Sequence, residues 1–138
     1  MSESHKLNNS HLLNLYCDSG DVRKVSDVLA GGVDVSLFEN GENSPLIIAA
    51  DSGFAEIVAL LLAHGFNVNY QTDLGESALD CAVCGKHEDT VVLLLARGAD
   101  VRAVDRFGIS VLDRAVDSGS EKIVELVMTA MGDESGHP

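Results

Sequence analysis

The chain has 138 residues, 46% of them apolar and only 4% aromatic, with no tryptophan. That is enough for one ordinary domain, too aliphatic for a disordered chain, and it leaves Leu, Ile, Val and Ala to build the core. A net charge of −13, from 22 acidic against 9 basic residues, opposes nucleic acid and anionic membrane surfaces and favours a basic partner.

Residues 1–9 read as a polar tail, and Met1-Ser2-Glu3-Ser4-His5-Lys6 has no apolar stretch of the secretory kind. From Ser10 a short helix is expected through Leu13 and Tyr16 to Gly20, then a second through Val25 and Leu29 to Gly31-Gly32. Asn14, Asp18, Ser26 and Asp27 make this first unit more polar than the later ones, as suits the end of a stack. A polar stretch with the turn signal Asn40-Gly41 leads to Ser44-Pro45. That pair starts a helix, because the hydroxyl can cap an orphan N–H and proline at the first position has no N–H to lose. The helix ends near Gly53. The next carries apolar residues at 57, 58, 60, 61 and 62 before His64-Gly65. Being apolar around much of its circumference, it must lie buried between neighbours.

The third and fourth units open at Ser77 and Ser110, with Asp80 and Asp113 at capping-box spacing. Their second helices run from Val91 to Leu95, and through Ile123, Val124, Leu126, Val127 and Met128. Gly85-Lys86 stands where units two and four have Ser-Gly, so either Lys86 is left-handed or that helix ends one residue early. No loop follows the fourth unit. Residues 132–138 read as a second tail, and both ends of the stack read as polar caps.

These units keep one register. Leu13, Leu46, Leu79 and Leu112 are each 33 residues apart, as are Val25, Val58, Val91 and Val124, and Gly32, Gly65 and Gly98. Agreement at so many offsets means one supersecondary unit used four times, and the usual output of such an array is an extended surface.

The period, the Ser44-Pro45-Leu46-x-x-Ala49-Ala50-x-x-Gly53 run, the Glu56-Ile57-Val58-x-Leu60-Leu61-Leu62 block and the closing Gly98-Ala99-Asp100-Val101 resemble ankyrin repeats. The resemblance covers about residues 10–131, in repeats of about 10–42, 43–75, 76–108 and 109–131. It implies an all-α solenoid of helix-turn-helix units with protruding hairpin-like loops. The family's usual Thr is Ser here, and its usual His is Asn14, Ile47, Asp80 or Asp113, so the Thr–His network between repeats is missing or replaced by serine caps.

The same resemblance implies partner binding through the loop tips and the outward side of the short first helices. Here the tips are Asn40, Gly41 and Asn43, then Asp73, Leu74 and Glu76, then Arg106, Phe107 and Ile109. The helix slots are Asp18-Ser19, Asp51-Ser52, Cys84-Gly85 and Asp117-Ser118, an interrupted ladder of aspartates for Lys or Arg side chains. Leu74, Phe107 and Ile109 would anchor an apolar part of the partner, and an exposed aromatic makes Phe107 the foremost. Solvation of a helix end is the plainer explanation of the aspartates, though the helix dipole disfavours acids there.

Cys81-Ala82-Val83-Cys84 is a CxxC with His87 beyond it. A structural zinc site needs four ligands and no second pair follows, while a thioredoxin-like role needs the motif at a helix start after a strand. Cys81 falls on the inward register of Ile48, and small buried cysteine is common. A metal or redox sensor at Cys81/Cys84 is therefore the weakest reading. His5, His11, His64, His87 and His137 occupy different slots, and no nucleophile–base set or phosphate-cradling loop appears. The expectation is a non-catalytic monomer without metal or cofactor. It binds another protein, as an adaptor or as a dedicated inhibitor that plugs a basic enzyme cleft. No apolar run approaches the roughly 20 residues of a membrane span. The odd count of three cysteines suits a reducing, cytoplasmic setting.

Overall fold

The computed structural model describes residues 12–135, with side chains through residue 132. The tail expected at 1–9, the Ser10 start and the histidines His5, His11 and His137 lie outside the described residues. Helix α1 spans 12–19, α2 Val22–Ala30, α3 Pro45–Ser52, α4 Ala55–Ala63, α5 Ala78–Cys84, α6 Glu88–Ala96, α7 Val111–Ser118 and α8 Glu121–Ser135. A 3-10 turn at Val35–Leu37 precedes the first long loop.

The helix starts follow the side-chain chemistry. Ser44 accepts from the Ile47 amide with Pro45 at the first helical position. Ser77 and Ser110 make reciprocal capping boxes with Asp80 and Asp113. Each such cap contributes about 1 kcal/mol, which matters for helices of two turns that packing alone must otherwise hold. Gly53 and Gly119 end α3 and α7 in the left-handed conformation. In the third unit both alternatives occur together: α5 stops at Cys84, and Lys86 takes a φ of 59°.

The short helices α3, α5 and α7 stack side by side, and α2, α4, α6 and α8 form a second layer behind them. The core runs along the seam. Leu13, Leu46 and Leu79 are buried from the inner layer and Val25, Val58 and Val91 from the outer, in the register of the repeat. Phe38 and Phe66 close the first loop with ring centroids 5.6 Å apart. The loops after α4 and α6 return as narrow hairpins, each closed by one antiparallel bridge, Gln71 with Ser77 and Val104 with Ser110.

The C-terminal end departs from expectation in one respect. Helix α8 runs past residue 131 to Ser135. Gly65 and Gly98 close the preceding second helices with φ of 98° and 90°, but their slot is Met131 here, a side chain for which that turn is costly. Among the described residues the end face sets Val116 and Met128, 62% and 56% exposed, beside Ser120, Glu121, Glu125 and Thr129.

Candidate functional site

The hairpin loops are tied to one another by main chain. The Asp73 amide donates to the Gly41 carbonyl at 2.8 Å, and one unit later the Arg106 amide donates to the Leu74 carbonyl at 2.9 Å. Gln71 Nε2 donates to the carbonyls of Gly75 (2.9 Å) and Val104 (3.1 Å), bridging the second and third loops. A Cβ at Gly75 would lie 2.7 Å from the Arg106 nitrogen, so glycine is what allows this approach. Under the first loop, Tyr70 Oη accepts from the Gly41 amide and donates to the Glu42 carbonyl. Burial pushes the Tyr70 phenol above its ordinary range, so it stays a donor at neutral pH.

These ties display the tips. Phe107 is 72% exposed, Leu74 47% and Ile109 40%; Leu74 and Phe107 hold the same slot on neighbouring loops. Asn40, Asn43, Asp73 and Arg106 are exposed beside them, and Asn40 accepts from the Glu42 amide at 3.2 Å. On the inner helices Asp18, Asp51, Cys84 and Asp117 are all exposed at their common slot.

Four of the residues marked in the sequence come together. Asn43, Asp51, Ser52 and Glu76 line one polar depression of about 370 Å³, joined by Asp18 and Cys81 over a floor that includes Ile47 and Ile48. Three carboxylates around one hollow make a region of negative potential suited to an ammonium or guanidinium group. Asp117 and Ser118 lie outside it. The Ser118 hydroxyl donates to the Ala115 carbonyl at 2.6 Å and accepts from the Ser120 amide, so it closes α7.

Arg114 is the residue the sequence reading missed. It stands in the slot of Ile48 and Cys81, reaches across to Asp80 with Nε 3.4 Å from Oδ1, and pairs with Asp105. Its other nitrogen lies 3.6 Å from Cys84 Sγ. Asp105 in turn accepts from the amides of Phe107 (2.8 Å) and Ile109 (2.9 Å). The Ile109 amide, with that of Phe107 and the Arg114 guanidinium, holds the Asp105 carboxyl below its usual range. Burial has the opposite effect on Asp80, raising it against the pull of the Ser77 amide and Arg114. The cluster therefore fastens the loop that carries Phe107, and it sets a cation beside Cys84, where the aspartate ladder breaks. Only an arginine in an otherwise Leu, Ile or Cys slot hinted at it.

Cys81 is half-buried and Cys84 exposed; burial pushes the Cys81 thiol up to about 12. A thiol so far from ionisation is a poor nucleophile at neutral pH. Among the described residues no group of three His, Cys, Asp or Glu side chains is placed to hold a metal ion. No described helix is long and apolar enough to cross a membrane. A second depression of about 840 Å³ lies behind the stack between α6 and α8, lined by Val92, Leu95, Ala96 and Leu126.

No curated protein matches the chain. Residues 13–105 match a family described as ankyrin repeats in three copies. Ankyrin repeats are generally protein–protein interaction modules, and the family is typically non-catalytic. With its 33-residue period, its paired helices and its bridged loops, the chain belongs to the ankyrin repeat family.

Proposed function

We propose that this chain is a non-catalytic binding module that holds a basic segment of a partner protein along its concave face. The acidic hollow of Asp18, Asp51 and Glu76 carries this reading, because it offers a Lys or Arg side chain a charged seat between the helix ends and the loop bases. Leu74, Phe107 and Ile109, exposed at the tips, receive the apolar flank of the same segment, and Asn40, Asn43, Asp73 and Arg106 give polar contacts at the rim. The main-chain ties between loops support a preformed surface, which binds without an ordering cost.

The test is affinity capture from native lysate at low and high salt, repeated with Asp51→Lys, Asp117→Lys and Phe107→Ala combined. Capture of basic proteins that is lost at high salt and in the triple variant, with helicity unchanged, supports the reading. Undiminished capture by the folded variant sinks it and points to the groove behind α6 and α8. One folded basic enzyme, inhibited at about nanomolar affinity, would mark a dedicated inhibitor; weakly held short basic segments would mark an adaptor.

A further inference from the structure

Resting on the basic-segment reading, we infer that Arg114 decides which basic segment the concave face accepts. It bars a basic side chain from the third unit, so the segment carries basic side chains at units one, two and four and a neutral one between. Asp18, Asp51 and Asp117 stand exposed at one slot of units one, two and four, and the third unit has the exposed Cys84 there.

The break is more than a missing carboxylate. Arg114 reaches back from α7 and sets its Nη1 3.6 Å from Cys84 Sγ. In the slot of Arg114, the two preceding units have Cys81 and Ile48. These line the acidic hollow with Asp51 and Asp18 and bring no charge to it. The carboxylates nearest Arg114 do not reverse its effect. Asp80 and Asp105 have side chains only 4% and 2% exposed, and both already hold the guanidinium, through Nε and Nη2. An ammonium arriving at Cys84 meets Nη1 and no free carboxylate, a like-charge contact that counts against the wrong partner.

Spacing turns this into a register. Neighbouring packed helices lie about 10 Å apart. A chain in the polyproline II form advances about 9 Å per turn and repeats its side-chain direction at every turn. One turn of such a segment therefore spans one unit. With basic side chains of two successive turns in the hollow of Asp18, Asp51 and Glu76, the next turn faces Cys84 and the one after it faces Asp117. The accepted order is basic, basic, neutral, basic, and Arg114 enforces the neutral place.

Two proline-rich peptides of equal length and charge test this on the full chain at low salt, by fluorescence anisotropy. One carries lysines at i, i+3 and i+6; the other has its last lysine moved one turn further, to i+9. The second should bind about fivefold more tightly, because one exposed ion pair is gained and one like-charge contact avoided. In Arg114→Gln, which keeps a hydrogen-bonding side chain without the charge, the preference should fall below about twofold. Cys84→Asp, at an exposed position, offsets the same charge if that variant fails to fold, and should narrow the preference likewise. Comparing two peptides on one variant cancels any loosening of the Phe107 loop. Equal binding of both peptides by the wild type overturns the inference and leaves the basic-segment reading standing. So does a preference unchanged in the folded variants. Binding of neither peptide sinks that reading, and the inference with it.

Discussion

The ring of Phe54 lies across Gly20 so closely that a Cβ on the glycine would come within 2.7 Å of its Cζ. One unit later His87 covers Gly53 in the same way, and its Nε2–H donates to the Asp51 carbonyl at 2.8 Å. One unit later still the ring is gone. Ser120 stands in that slot, and the glycine has become Lys86. Ring and glycine are therefore one joint between neighbouring units, present twice and absent once.

Gly53→Ala should destabilise the chain by about 2–4 kcal/mol, from a left-handed backbone at φ 78° and a collision with His87. Gly119 has the same backbone but no atom near its missing Cβ. Gly119→Ala should therefore cost less, about 1–2 kcal/mol. Urea unfolding of both variants separates ring contact from backbone strain; equal losses would show that the ring does nothing.

Lys86→Gly should stabilise by about 1 kcal/mol, because Lys86 holds a φ of 59° that glycine adopts without strain. Glycine's extra freedom in the unfolded chain offsets part of the gain. A lower urea midpoint would contradict this.

Arg114→Met should lower Tm by roughly 5–10 °C, because it leaves the buried carboxylates of Asp80 and Asp105 without their cation. Amide exchange at Phe107 and Ile109 should speed up in the same variant, since both N–H groups donate to Asp105. Unchanged exchange there would mean that the loop does not depend on Arg114.

Asp105 gives the pH dependence. Its folded pKa lies below the ordinary carboxylate value, so it adds stability above the unfolded pKa of about 4, which is lost as pH falls through the folded value. Asp113 acts in the same sense, lowered by the Ser110 amide. Wild type should thus exceed Asp105→Asn at pH 7 and lose its advantage in acid. Asp80 has the opposite sign. Its pKa is raised, so its ionisation removes stability as pH climbs from about 4 through the folded value.

Thiol titration of the native chain should label Cys84 first, Cys81 more slowly, and Cys17 only on unfolding. Burial holds the latter two thiols up at about 12, and Cys17 is inaccessible. Reaction of Cys17 as fast as Cys84 would show the inner layer to be open.

The repeat period made the helices, serine caps and loops legible, because each depends on residues close in sequence: Ser77 with Asp80, Ser110 with Asp113. The resemblance to ankyrin repeats put Asn43, Asp51, Ser52 and Glu76 on one side, where they line one hollow. Relationships that break the period were hidden. Arg114 reaches partners on α5 and in a loop, and no spacing rule announces that reach. The exposure of Val116 was hidden for the opposite reason: the residue obeys the period, yet it is 62% exposed where Val83 in the same slot is buried.

The amide-to-carbonyl bonds from Asp73 to Gly41 and from Arg106 to Leu74 ask nothing of the side chains at positions 73, 74 and 106. What holds the row of loops in shape is separate from what it displays. Substitutions at those tips can therefore rewrite recognition while the row keeps its form, and the surface can drift toward a new partner without first becoming unstable.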